Sequence, residues 1–227
     1  SDRPVVVGAS PATAGLGRAM ASARACAFLA MVAKAAAVVR IPLRHADQVS
    51  DPSFAMYLGR DGNSGELALG GAVREHIVGK RRYANIRNDS SGWEVPLDAV
   101  WVGDERGFTD VTYGSLDPYF SMLIGPPHHV RYLAGKWGAK KNQDGFWEVE
   151  CDREGPPLRF RIGGWDYALA KQDLVLRLRS QCYLLVQETS GPWYLAAPFL
   201  RKFYVLFDGA RKRVGISIAK HPANNFV

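Results

Sequence analysis

Cysteine is scarce in this chain, and acid is missing from residues 3–46. The 227 residues hold three Cys, too few for a small disulfide-stapled scaffold, and no Cys-x-x-Cys pair occurs. His45, His76, His128, His129 and His221 include no His-x-x-x-His spacing, so neither common zinc pattern is met, no metal is expected, and His128-His129 reads as a loop pair. The longest unbroken apolar run, 25–33, lies between Arg24 and Lys34; a bilayer-spanning helix needs roughly 20 such residues, so none is expected. Between Arg3 and Ala46 there is no Asp or Glu, while Arg18, Arg24, Lys34, Arg40 and Arg44 are spread among alanines. That is the texture of an organelle-targeting segment, and equally of an amphipathic core helix over 19–39 with Phe28, Leu29, Val32 and Ala36 on one face.

What is present is a globular composition. Hydrophobic residues make up 47%, and 29 Lys+Arg against 22 Asp+Glu leave a net charge of +7, which excludes a disordered or collagen-like chain. After Pro42, short apolar stretches recur between Gly, Asn and Asp clusters: 54–58, 66–69, 93–102, 146–151, 158–162, 183–187, 203–207 and 214–218. These read as strands. Within 93–102, Trp93, Val95, Leu97, Ala99 and Trp101 share one face of a single strand, and Asp61-Gly62, Asp144-Gly145 and Asp208-Gly209 supply turns. Helix is expected at 19–39, near 130–137 and for one turn at 198–202. The fold class is mainly β, with a few short helices and an N-terminal helical segment.

Two other patterns point elsewhere. The strand-like 4–8 followed by Gly15-Leu16-Gly17-Arg18-Ala19, with Tyr132 and Lys136 four apart, resembles a short-chain dehydrogenase. Six residues separate Gly8 from Gly15 where that family has three, and the alternating strand–helix pattern of a parallel sheet is missing, so no cofactor is expected. The basic clusters Lys80-Arg81-Arg82, Lys140-Lys141 and Arg211-Lys212-Arg213 read as a solvated surface on separate turns. They suit an anionic neighbour, whether acidic protein, lipid or RNA, and not sequence-specific reading of nucleic acid. Gly215-Ile216-Ser217-Ile218-Ala219 lacks the second Gly of a hydrolase elbow, so Ser217 is no nucleophile.

A longer series of motifs covers about 50–218. Asp51-Pro52-Ser53-Phe54-Ala55-Met56-Tyr57-Leu58 with Gly65-Glu66-Leu67-Ala68-Leu69-Gly70-Gly71, Gly92-Trp93-Glu94-Val95-Pro96-Leu97-Asp98, Asp144-Gly145-Phe146-Trp147-Glu148-Val149-Glu150-Cys151-Asp152, Pro157-Leu158-Arg159-Phe160-Arg161-Ile162-Gly163-Gly164 and Trp193-Tyr194-Leu195 through Phe207-Asp208 follow one another. This order resembles the second lobe of pepsin-like aspartic proteases. The resemblance implies a single pepsin-like lobe at 46–220, preceded by a lobe-junction remnant at 1–45 and followed by a tail at 221–227. In that family each lobe contributes one Asp, and the pair activates a water.

Counting back from Gly125-Pro126 places Asp117 on the family's catalytic Asp and Ser121 on its Ser, but Pro118 and Tyr119 stand where the family has Thr and Gly. No Asp-Thr-Gly or Asp-Ser-Gly occurs. Pro118 has neither hydroxyl nor N–H, and the Tyr119 ring is expected to fill a space meant for no side chain. The expectation is therefore a catalytically inactive domain, not an enzyme, in which Asp117 starts a turn. It would serve as a structural or protein-interaction subunit whose former inter-lobe face is covered by other subunits. Alternatives are an active or peptide-binding lobe working with a separate first lobe or as a homodimer. The resemblance further implies a Cys151–Cys182 bridge closing a 31-residue loop, worth about 3–4 kcal/mol, with Cys26 left over. A bridge and the Asn88-Asp89-Ser90 sequon, with Asn88 the glycosylation candidate, favour a secretory lumen; the acid-free N-terminal stretch favours a mitochondrion or similar organelle.

Overall fold

The computed structural model describes residues 5–8, 52–60, 62, 64–88, 90 and 92–222. The helix expected at 19–39, the glycines of 15–19, Cys26 and most of the tail lie outside the described residues. Two compact units emerge, one from 1–88 and 200–227 and the other from 89–199. As expected, the fold is mainly β.

In the first unit β1 (Val5–Gly8), β2 (Ser53–Leu58), β3 (Gly65–Leu69) and β4 (Ile77–Asn85) are separated in sequence from two strands at the other end of the chain. Alternation places Ala55 and Tyr57 of β2 and Ala68 of β3 in one buried cluster, beside which Val73 packs. β1 pairs antiparallel with β3, Val6 opposite Ala68. That pairing removes the dehydrogenase-like reading, which requires this strand to lie in a parallel sheet.

The second unit opens with β5 (Glu94–Pro96), β6 (Ala99–Val102), β7 (Arg106–Phe108), β8 (Tyr113–Leu116) and β9 (Leu123–Gly125), followed by α1 (Pro127–Lys136). The single strand expected over 93–102 is two strands in two sheets. The handover takes two residues: the Leu97 N–H donates to the Thr112 carbonyl (2.9 Å) and the Asp98 N–H to the Arg161 carbonyl (2.8 Å). Helix α1 also starts earlier than expected, because Pro127 fits the first helical turn, where its missing N–H costs nothing. His128 and His129 therefore lie on a helix and not in a loop.

β10 (Lys140–Lys141), β11 (Trp147–Val149), β12 (Leu158–Ile162) and β13 (Trp165–Leu169) continue the unit. In β12, Leu158, Phe160 and Ile162 are buried while Arg159 and Arg161 face outward, and Gly163 and Gly164 turn the hairpin at φ 57° and 78°. Then come α2 (Lys171–Leu174), β14 (Val175–Leu178), β15 (Gln181–Leu184), β16 (Val186–Glu188) and β17 (Trp193–Leu195). The expected strand at 183–187 is again split between sheets, at Leu185, whose N–H donates to the Leu174 carbonyl (2.7 Å). Helix α3 (Ala197–Lys202) leads into β18 (Phe203–Asp208) and β19 (Arg213–Ala219), which return to the first unit.

The first unit's sheet runs β1-β3-β2-β18-β19-β4. The second unit holds three sheets, β10-β11-β15-β14, β13-β12-β6-β7 and β16-β9-β17-β8-β5. Its core includes Val95, Leu123, Leu133, Trp137, Phe160, Trp193 and Phe199, all fully buried. Among the described residues no helix is long and apolar enough to cross a membrane.

Candidate active site

Three strands hold the loop that carries Asp117. β17 lies between β8 and β9, parallel to β8 with Trp193 opposite Gly114 and Leu195 opposite Leu116, and antiparallel to β9. The chain leaves β8 at Asp117, arches over the end of β17 and returns as β9. The Asp117 N–H donates to the Leu195 carbonyl (3.4 Å) and the Ala197 N–H to the Phe120 carbonyl (3.1 Å), so both limbs of the arch are tied to the same neighbouring segment. Asp117 and Ser121 are half-buried in this arch.

Tyr119 does not sit where the sequence led us to expect. Its side chain is 74% exposed, and its backbone N–H donates to Asp117 Oδ1 at 2.8 Å. Non-glycine residues with positive φ, among those described, are Arg179 and Lys212. Residue 119 therefore holds no conformation reserved for glycine, and its Cβ can point outward. The ring meets Phe120 edge-on at 5.4 Å, and Phe120 meets Tyr194 edge-on at 5.3 Å, forming an aromatic row beside the arch. The side chain thus leaves the carboxylate accessible, and the backbone supplies it with a hydrogen bond. Pro118, also exposed, contributes neither donor nor hydroxyl.

A second network supports the arch from β9 and α1. A Cβ on Gly125 would meet the Trp193 ring at 2.6 Å, so the absence of a side chain there is what lets the indole lie against β9. Trp193 is fully buried and donates from Nε1 to His129 Nδ1 (3.1 Å). His129, 1% exposed, faces Asp110 Oδ1 through Nε2 at 2.9 Å, and His128 Nε2 faces Asp110 Oδ2 at 2.7 Å. Indole N–H is only a donor, so His129 Nδ1 carries a lone pair and the neutral ring has its proton on Nε2, directed at Asp110. Burial works against the charge on Asp110, but the hydrogen bonds from His129, its own backbone and His128 outweigh it and hold the carboxyl below its ordinary value.

Asp110, His128 and His129 offer three ligand atoms within 4.8 Å of one another. A metal-bound His donates its remaining N–H outward, whereas the remaining nitrogen of His129 accepts one. The donor set therefore suits a hydrogen-bond chain and not a cation. This network was missed in the sequence because its members are far apart in the chain; Pro126-Pro127 ahead of the His pair was the available sign of a helix start.

The other singled-out residues separate into distinct places. Cys151 and Cys182 are bonded, with Cα atoms 5.1 Å apart, as the resemblance implied. Asn88 is exposed in the turn after β4. Lys80, Arg81 and Arg82 lie within β4 and Lys140-Lys141 form β10, so these clusters are strand residues and not turns. Only Arg211 and Lys212 occupy a turn, while Arg213 begins β19 opposite Asn85.

Residues 16–219 match the family described as Eukaryotic aspartyl protease. Vacuolar protease A of Aspergillus fumigatus is 30% identical over 183 residues, covering 76% of this chain and 46% of that protein. Renin of Rattus norvegicus is 30% identical over 186 residues, covering 74% and 45%. Cathepsin D of Homo sapiens is 30% identical over 184 residues, covering 73% and 44%. The chain thus spans less than half the length of these relatives. That they bear protease names overturns the expectation of a non-enzyme, and the outward Tyr119 ring removes one of the two physical premises on which it rested, the other being Pro118.

Proposed function

The chain belongs to the eukaryotic aspartyl protease family, and on that footing we propose that it is the second lobe of an aspartic endopeptidase, with Asp117 as one of the two water-activating carboxylates. The other carboxylate is supplied by a first lobe outside these 227 residues, which also covers the face a lone lobe would leave exposed. The observation that carries this reading is the Tyr119 N–H on Asp117 Oδ1 at 2.8 Å with the ring turned out. One carboxylate of such a pair takes a proton from water as the oxygen attacks the peptide carbonyl, and a proton then passes to the leaving amine. The Cys151–Cys182 bond and the vacuolar names among the relatives support an oxidising lumen as the working compartment.

The test is peptide hydrolysis by the full-length protein carrying its first lobe. Asp117→Asn should lower kcat by about 10²–10⁴-fold and abolish binding of a statine-type transition-state mimic. Hydrolysis that survives this substitution refutes the assignment.

A further inference from the structure

β4 ends the first unit's sheet, and among the described residues no strand pairs with its outer edge. An open nine-residue edge is a template for another strand. This one is bent and cationic. Gly79 has φ 75°, and the register with β19 shifts between Ile216 and Ile218. Val78, Tyr83 and Ile218 are 45%, 42% and 53% exposed, and Gly79, Lys80 and Asn85 are open as well.

Gly215 of β19 leaves room for a shelf beside this edge: a Cβ there would meet Arg81 Cδ at 2.4 Å and Tyr83 Cε1 at 2.9 Å. The Arg213 guanidinium stacks over the Tyr83 ring at 4.0 Å, and Arg81 Nη1 donates to the Tyr83 hydroxyl at 3.3 Å. Lys80, Arg211 and Lys212 add further charge. The acid within 208–213, Asp208, is buried and already accepts from Arg211 (3.3 Å) and Arg213 (2.9 Å). A second copy of β4 would bring like charge to like.

We propose that the β4 edge docks an acidic, extended segment of a partner protein, added as a further strand whose backbone pairs with β4 and whose carboxylates meet Lys80 and the Arg81–Tyr83–Arg213 shelf. Backbone pairing provides attachment, and charge selects the partner while rejecting self-association.

The test titrates the full chain with a ten-residue peptide alternating Glu and Val, following affinity by calorimetry and amide hydrogen exchange along β4. Binding should slow exchange in β4. A Lys-Val counterpart, and the Glu-Val peptide N-methylated at alternate residues, should each bind at least about tenfold more weakly. Lys80→Glu with Lys212→Glu, both at exposed positions, should weaken binding about tenfold and reduce its salt dependence. Equal binding of the N-methylated peptide, absence of protection in β4, or displacement of the peptide by phosphatidylserine vesicles or single-stranded RNA would each overturn the proposal.

Discussion

Truncating Tyr119 to Ala separates two physical pictures by the sign of one measurement. If the ring were wedged into a space meant for glycine, removing it would relieve overpacking and raise stability by about 1–3 kcal/mol. With the side chain 74% exposed, about a quarter of its surface is covered. A fully buried aromatic ring covers roughly 200 Å², so a quarter is about 50 Å², and at about 25 cal/mol per Å² the loss on truncation is at most about 1 kcal/mol. The edge-on contact with Phe120 belongs to the same small sum. We therefore expect Tyr119→Ala to lower stability by up to about 1 kcal/mol in urea denaturation with an unchanged m-value. Ala keeps its N–H, so the hydrogen bond to Asp117 persists; Tyr119→Pro removes the donor and should depress hydrolysis by the full-length protein much more than Tyr119→Ala does. A rise in stability for the Ala variant would show that the ring is strained, and the argument for an accessible carboxylate would fall with it.

Two further perturbations test the scaffold. Gly125→Ala places a Cβ against the buried Trp193 ring and should cost about 1–3 kcal/mol, read as a fall in Tm of roughly 2–12 °C, whereas Gly135→Ala, with nothing within 4 Å and a place in α1, should raise stability by about 0.5–1 kcal/mol; loss of stability in both, or neither, contradicts the packing at Gly125. Burial works against the charge on Asp208, but Arg213 and the backbone and side chain of Arg211 outweigh it and hold its carboxyl below its ordinary value. A depressed folded value means a contribution present above the unfolded pKa of about 4 and lost as pH falls through the folded value. Asp208→Asn should therefore be less stable than the parent at neutral pH and approach it as pH falls through the folded value, and parallel stability curves would refute this.

The hairpin strands were legible where both faces of a strand keep one environment along its whole length. β12 shows this best: Leu158, Phe160 and Ile162 alternate with two arginines and end at two glycines, and all of that information lies within seven residues. The stretches 93–102 and 183–187 misled because alternation continues smoothly through Leu97 and Leu185 while the hydrogen-bond partner changes there. Those partners, Thr112, Arg161 and Leu174, are remote in sequence, so nothing local announces the change. Lys80, Arg81 and Arg82 were read as a turn for a related reason: charge suggests solvent, yet an edge strand is also in solvent.

Sequence alone determined the class of fold, the order of its hairpins and the pairing of Cys151 with Cys182, because alternation, turn residues and a long ordered series of family motifs are properties of the chain read in one direction. Tertiary structure alone decided where the Tyr119 ring goes, why Gly125 must lack a side chain beside Trp193, and how His129 and Asp110 come to support the arch. Residue type tells how large a side chain is and what it can bond, but the direction of its Cβ follows from backbone angles set by strands paired across long sequence separations.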